Sequence, residues 1–393
     1  MNSELQKEMK ALGQSVLVLQ GGGALGAYQV GVYEALSEAG VEPDWIVGTS
    51  IGAINAGIIA GSPKGERLDR LCEFWKRVEN APAFGSHMPA WLAATARNAV
   101  AMTSGVPAFF QPQPAAFLNP HIPLGPDAAG FYSTRPLNDT LEDLIDFDQL
   151  NSGEVRLTVG ASRVSNSEMV YFDSRDMEID VRHIMASGAL PPAFPAVRID
   201  GELYWDGGIL SNTPVEVVFD DNPRRNSLVF AVHIWNPHGP EPRSIWEVMN
   251  RQKDLQYSSR SNTHIARQRQ LHRLRHVIAE LGAMVPDCSA KDKIVSQMRS
   301  YGCTTTMHVI RLLAPALAYE DHSKDIDFSP EGIRQRREAG YRDTMVTLEQ
   351  APWRGKFDPL EGFILHEACG GEMVHTAASR ARRFADFAPL VVG

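Results

Sequence analysis

Short runs of β-branched and aliphatic residues alternate with longer stretches whose apolar positions fall at helical spacing, from Ser15 to about Ile234. Residues 15–19 (SVLVL) predict a buried strand. Over 24–39, Leu25, Val32, Ala35, Leu36 and Ala39 lie near helical spacing, and Gly40 supplies a stop. Residues 45–47 predict a second strand, and 51–60 a helix of small residues ended by Gly61. Strand, loop, helix, strand, turn, helix implies parallel strands joined by a right-handed crossover.

Helices are predicted over 64–78, 137–145 and 181–188, and strands over 156–162 and 169–172, the last two as hairpin neighbours. Residues 196–199 and 202–205 flank Asp200-Gly201, a two-residue hairpin turn. Pro214 fits the first turn of a further helix, and 228–234 predict another core strand. The pattern breaks at 236–240 (NPHGP), which is taken as a boundary. Beyond it lie a long polar helix over 243–281, a strand over 304–312, and a helix from Ser329-Pro330 to about Glu349. The organisation expected is a polar segment 1–14, a catalytic unit 15–235 and an extension 236–393 packed upon it. Residues 81–131, apolar and poorly periodic, with Trp91, Phe109, Phe110 and Phe117, are a candidate lid or substrate wall. A packed excursion over the core is the plainer alternative.

Composition narrows the partners. The chain has 393 residues and a formal net charge of −9, a poor match to nucleic acid or to bulk attraction by anionic membranes. Arg251 to Arg275 form a basic helical row, read first as a solvated face and second as a headgroup or partner contact. Cys72, Cys288, Cys303 and Cys369 are scattered and lack metal-type spacing, so no metal or cofactor is expected. The N-terminal residues lack a signal-type apolar core, and no run suits a membrane span. A cytoplasmic protein is the expectation, with contact at a membrane or lipid surface left open.

Gly48-Thr49-Ser50-Ile51-Gly52 reads G-x-S-x-G between a strand and a helix, the setting of a nucleophile elbow. Gly21 to Gly26 (GGGALG) fits either a dinucleotide fingerprint or an oxyanion hole of glycine N–H groups at a helix start. The fingerprint needs an acidic residue at the end of the next strand, where this chain has Thr49-Ser50. Both glycine turns are expected at the carboxyl ends of neighbouring parallel strands, the edge where open α/β sheets build sites. A serine nucleophile needs a base. His233 and His308 fall inside predicted strands, whereas Asp206 ends one and is followed by Gly207-Gly208.

Together Gly21-Gly22-Gly23-Ala24-Leu25-Gly26, Gly48-Thr49-Ser50-Ile51-Gly52 and Asp206-Gly207-Gly208 resemble the patatin-like phospholipases. Ala186-Ser187-Gly188-Ala189-Leu190-Pro191, then Phe194-Pro195, and later Asn212 and Pro214, support the match. The resemblance implies a three-layer α/β/α sandwich with a mostly parallel central sheet, here with a mainly helical C-terminal extension. It also implies a Ser50–Asp206 dyad acting on a lipid or acyl ester, with Gly21, Gly22, Gly23 and Ile51 N–H groups around the oxyanion. Gly26, Gly48, Gly52, Gly207 and Gly208 complete the motifs. Where many family members carry Arg or Lys before the last glycine of the first motif, this chain has Leu25. Other readings on the same residues are a non-catalytic lipid-binding or regulatory protein, a Ser-His-Asp enzyme using His233 or a later histidine, and a nucleotide-binding oxidoreductase.

Overall fold

The computed structural model describes residues 2–80, 99–285, 292–317, 320–358, 360–369 and 372–375. Residues 81–98 of the candidate lid, Trp91 among them, and Cys288 lie outside these.

Alternating apolar residues decide the architecture. Along β1 (Gln14–Leu19), Leu17 and Leu19 enter one core while Val16 and Val18 enter another. β2 (Trp45–Thr49) does the same, with Ile46 on one side and Trp45 and Val47 on the other. A strand buried on both faces needs helices on both, and the result is a three-layer sandwich. On the first face lie α1 (Asn2–Ala11), α2 (Ala27–Glu38), α3 (Ile51–Ala60) and α4 (Arg67–Arg77). The N-terminal segment read as merely polar therefore begins as a helix, with Leu5 and Met9 buried.

Two short strands, β3 (Gln111–Pro112) and β4 (Tyr132–Ser133), pair apart from the main sheet and flank α5 (Pro114–Leu118). Next come α6 (Arg135–Leu144), α7 (Phe147–Asn151), β5 (Arg156–Arg163), β6 (Met169–Asp173) and α8 (Val181–Ser187). β7 (Val197–Ile199) and β8 (Glu202–Asp206) form the hairpin expected at Asp200-Gly201. They are followed by α9 (Glu216–Phe219) and β9 (Ser227–His233).

The extension does more than pack on this unit, because it continues its sheet. After α10 (Ile245–Met284) and α11 (Asp292–Arg299), β10 (Met307–Leu313) pairs in parallel with β9. α12 (Pro330–Gln350) leads on to β11 (Phe363–Cys369) and β12 (Glu372–His375). The sheet order is β12-β11-β10-β9-β1-β2-β5-β8-β7, with β6 also on β5. All neighbours from β11 to β5 are parallel, and the pairs that β12, β6, β7 and β8 form are antiparallel.

α12 lies along α2 at unusually short range. A Cβ on Gly31 would sit 1.8 Å from the Arg337 carbonyl oxygen, and one on Gly340 would sit 2.0 Å from that of Tyr28. Arg337 pairs with Glu34 at 2.7 Å, and the Tyr28 hydroxyl donates to Asp343 at 3.0 Å. The basic row of α10 is also largely spent inside the molecule. Lys253 pairs with Asp325, Arg269 with Glu361 and Arg275 with Asp220, while Arg251 donates to the carbonyls of Asn236 and Pro237. That row is an inter-element seam more than a solvated face.

Candidate active site

β2 runs straight into α3 with one residue between them, Ser50. Its φ is 57° and ψ −124°, a region that residues with a Cβ rarely occupy and that costs of order 1–3 kcal/mol. The turn is tight because its neighbours have no side chains. A Cβ on Gly52 would lie 2.3 Å from the Leu19 carbonyl oxygen, and one on Gly48 would lie 2.4 Å from that of Gly52. The Ser50 N–H is held by the Ser187 hydroxyl at 3.0 Å, and that hydroxyl donates to the Gly160 carbonyl at 2.6 Å.

Asp206 arrives from far along the chain. It ends β8, whose antiparallel register on β5 sets Asp206 opposite Ala161, and β5 in turn adjoins β2. Ser50 and Asp206 line one cavity, and the Asp206 carboxylate accepts the Gly208 N–H at 2.6 Å. Asp206 is 2% exposed. Burial pushes its pKa up to about 6, against the lowering effect of the nearby Ser50 side chain and the Gly208 N–H. A carboxylate so placed can hold and return a proton near neutral pH.

The first glycine motif follows β1 and lines the same cavity as Ser50. Here one expectation is corrected: the Gly21 N–H already donates to the Asn212 carbonyl at 3.1 Å, so it is not available to an oxyanion. The Gly21 carbonyl oxygen accepts Asn212 Nδ2 at 3.0 Å and Trp235 Nε1 at 2.8 Å. A trans peptide sets its N–H opposite its C=O, so these two donors fix the direction of the Gly22 N–H. The Gly22 and Gly23 N–H groups donate to no backbone carbonyl of the described residues. The Ile51 N–H, first in α3, has no intrahelical acceptor. Gly23 adopts φ +55°, and a Cβ there would meet the Asp325 carbonyl oxygen at 2.2 Å. Gly26 is held through its carbonyl by Asn55 Nδ2 at 3.2 Å. Gly207 and Gly208 form the short turn after Asp206.

The cavity has a volume of about 250 Å³. One wall is apolar, with Phe109, Phe110, Tyr132, Phe194 and Phe328 in mutual ring contact. Met102 and Ala101 extend it, so the described part of 81–131 does line the site. Trp235 and Tyr257 also line it, their ring centroids 4.8 Å apart and their planes tilted by 31°. Tyr257, Asp325, Ile326 and Phe328 all come from the extension, and sequence reasoning missed them because nothing local marks them. Ser187 and Asn212 belonged to the supporting motifs but had no assigned task.

A family model described as patatin-like phospholipase matches residues 17–219, and another described as patatin phospholipase matches 255–360. The chain belongs to the patatin-like phospholipases. It is 27% identical to a patatin-like phospholipase domain-containing protein of Caenorhabditis elegans over 203 residues, 51% of this chain and 12% of the relative. An uncharacterized NTE family protein of Mycobacterium bovis is 26% identical over 240 residues, 60% of this chain and 54% of that one. A lysophospholipase of Aspergillus niger is 27% identical over 263 residues, 61% of this chain and 15% of the relative. The chain thus spans about half or less of the length of these relatives. Among solved structures, VipD from Legionella pneumophila aligns at TM-score 0.39 and 16% identity, covering 86% of this chain and 67% of that one.

In this patatin-like phospholipase His233 is fully buried at the end of β9 and does not line the Ser50 cavity. Burial, then the Arg311 charge, hold its pKa well below the ordinary histidine range. Leu25 lines a second cavity, of about 260 Å³, behind the glycine turn. Among the described residues, no group of three or more His, Cys, Asp or Glu is arranged to hold a metal ion, and no helix is long and apolar enough to cross a membrane.

Proposed function

We propose that this protein is a serine acyl hydrolase that cleaves carboxylic esters of lipids with Ser50 as nucleophile and Asp206 as base. The observation that carries this is that the strained Ser50 shares a cavity with a buried carboxylate whose pKa stands near 6. Asp206 takes the Ser50 proton as Oγ attacks the ester carbonyl. The negative charge that develops on the carbonyl oxygen is met by the N–H groups of Gly22, Gly23 and Ile51. Collapse expels the alcohol, which carries away the proton from Asp206, and leaves an acyl ester on Ser50. Asp206 then takes a proton from water, whose oxygen attacks the acyl carbonyl, and returns that proton to Ser50 Oγ as the fatty acid is released.

The aromatic wall formed by Phe109, Phe110 and Phe194 supplies the apolar surface for the acyl chain. The catalytic unit is residues 15–235, and the extension closes its cavity. The location is cytoplasmic, with contact at a lipid surface. The test is labelling with a fluorophosphonate, followed by a panel of acyl esters. Ser50→Ala loses labelling and at least about a hundredfold in hydrolysis, as expected for a group that reacts directly. Hydrolysis unchanged in Ser50→Ala overturns the assignment.

A further inference from the structure

The ionisable side chains among the described residues lining the Ser50 cavity are Asp206, Asp325, Tyr132 and Tyr257, with no lysine, arginine or histidine. Asp325 enters from the extension on the helical turn Lys324–Ile326. It stands against the oxyanion turn, since a Cβ on Gly23 would lie 3.7 Å from the Asp325 Cβ. Its counter-ion, Lys253, reaches it at 2.7 and 2.9 Å but does not line the cavity. The neighbouring Lys324 lines the second cavity, where it pairs with Asp254 at 2.7 Å, its ammonium 5.4 Å from the centroid of the Trp235 ring.

The two carboxylates are felt inside the cavity. Burial first, then the charges of Asp325 and Asp206, push the Tyr257 hydroxyl pKa above its ordinary value. A phosphate brought into the same space meets the same field. The low-polarity wall of Phe109, Phe110, Phe194 and Phe328 offers it no compensating donor.

We propose that this cavity selects carboxylic esters whose alcohol portion is uncharged and rejects those bearing a phosphate, with Asp325 as the specificity-determining residue. The inference rests on the reading of Ser50 and Asp206 as the hydrolytic pair. In a lysophosphatidic acid only the glycerol backbone separates the scissile ester from the phosphate, so the phosphate stays close to the cavity walls. In the 1-acylglycerol of the same acyl chain a hydroxyl takes that place.

The experiment compares kcat/KM for these two esters, both below their critical micelle concentrations, in the full chain. The neutral ester is favoured by at least about tenfold. Asp325→Asn removes a carboxylate and frees the Lys253 ammonium, so the ratio shrinks. Lys253→Gln strips the counter-ion from Asp325 and widens it, which keeps the test decisive if one variant fails to fold. Equal or better cleavage of the phosphate ester by the unaltered protein overturns the proposal, as does a ratio that moves in neither variant. Labelling of Ser50 by a fluorophosphonate without cleavage of either ester overturns it alone. Absence of both labelling and cleavage overturns the hydrolase reading on which it stands.

Discussion

The Ser187 hydroxyl takes the Ser50 N–H at 3.0 Å and gives its own proton to the Gly160 carbonyl at 2.6 Å, tying the elbow to β5. Ser187 itself is fully buried. Ser187→Ala leaves a donor and an acceptor without partners in the interior, at a cost of about 1–3 kcal/mol for each such group. The strained φ of Ser50 is then less firmly held. Thermal denaturation should show a lower midpoint, and the rate of fluorophosphonate labelling should fall by about tenfold. Full labelling rate with a lowered midpoint would make Ser187 a purely structural residue.

Asp206 sets a pH dependence for both rate and stability. As a base it must be ionised, so kcat/KM should rise with pH through an apparent pKa near 6 and level off above it. Stability runs the other way. The folded pKa of about 6 exceeds the ordinary value of 3.8, so the folded state holds the proton more tightly. The cost of ionising Asp206 is absent below pH 3.8, grows as pH rises, and is complete above about pH 6. It amounts to about 3 kcal/mol.

Asp206→Asn should therefore be inactive yet melt at a higher temperature than the unaltered protein at pH 8. The difference should vanish at about pH 4. A variant less stable at both pH values would show that Asp206 is not held at a cost.

Trp235 acts through the Gly21 carbonyl, which it holds with Nε1 at 2.8 Å. Trp235→Phe loses that donor while keeping an aromatic ring against Tyr257. The Gly22 N–H then loses part of its fixed direction, so kcat should fall by about tenfold with KM nearly unchanged. A change confined to KM would place Trp235 in the substrate wall instead.

The contact between α2 and α12 should respond sharply to a single methyl group. Gly31→Ala puts a Cβ where the Arg337 carbonyl oxygen stands, and the helices must separate. Overpacking of this kind costs about 1–3 kcal/mol. Because β10 and β11 belong to the same sheet as β1, unfolding followed by circular dichroism and by tryptophan fluorescence should remain one coincident transition, shifted to lower temperature. Two separated transitions would mean that the extension folds by itself.

Much of this site is legible in local chemistry. The short apolar runs of β1, β2 and β9 are a property of consecutive residues, and they mark the buried strands. G-x-S-x-G at a strand-to-helix join is likewise local, because the strained turn needs Gly48 and Gly52 immediately beside Ser50. The start of α12 was legible for the same reason: Ser329 caps the Gly332 N–H at 3.2 Å and Pro330 takes the first position.

What the chain alone left undecided depends on distant segments meeting. The antiparallel register of β8 on β5 decides that Asp206 meets Ser50. The commitment of the Gly21 N–H to Asn212 removes one expected oxyanion donor, and no motif signals a hydrogen bond across so long a separation. β11 lies in an extension expected to be mainly helical, and only its pairing with β10 makes it a strand. Tyr257 and Asp325 line the cavity from the extension, and their own neighbours in sequence are ordinary polar helix and turn residues. Sequence determined the sheet and the reactive turn because short-range patterns specify backbone and burial. Tertiary structure decided which carboxylate shares a cavity with Ser50, that the Gly21 N–H is engaged and which charged side chains line that cavity, because those are set by which separate segments the sheet brings together.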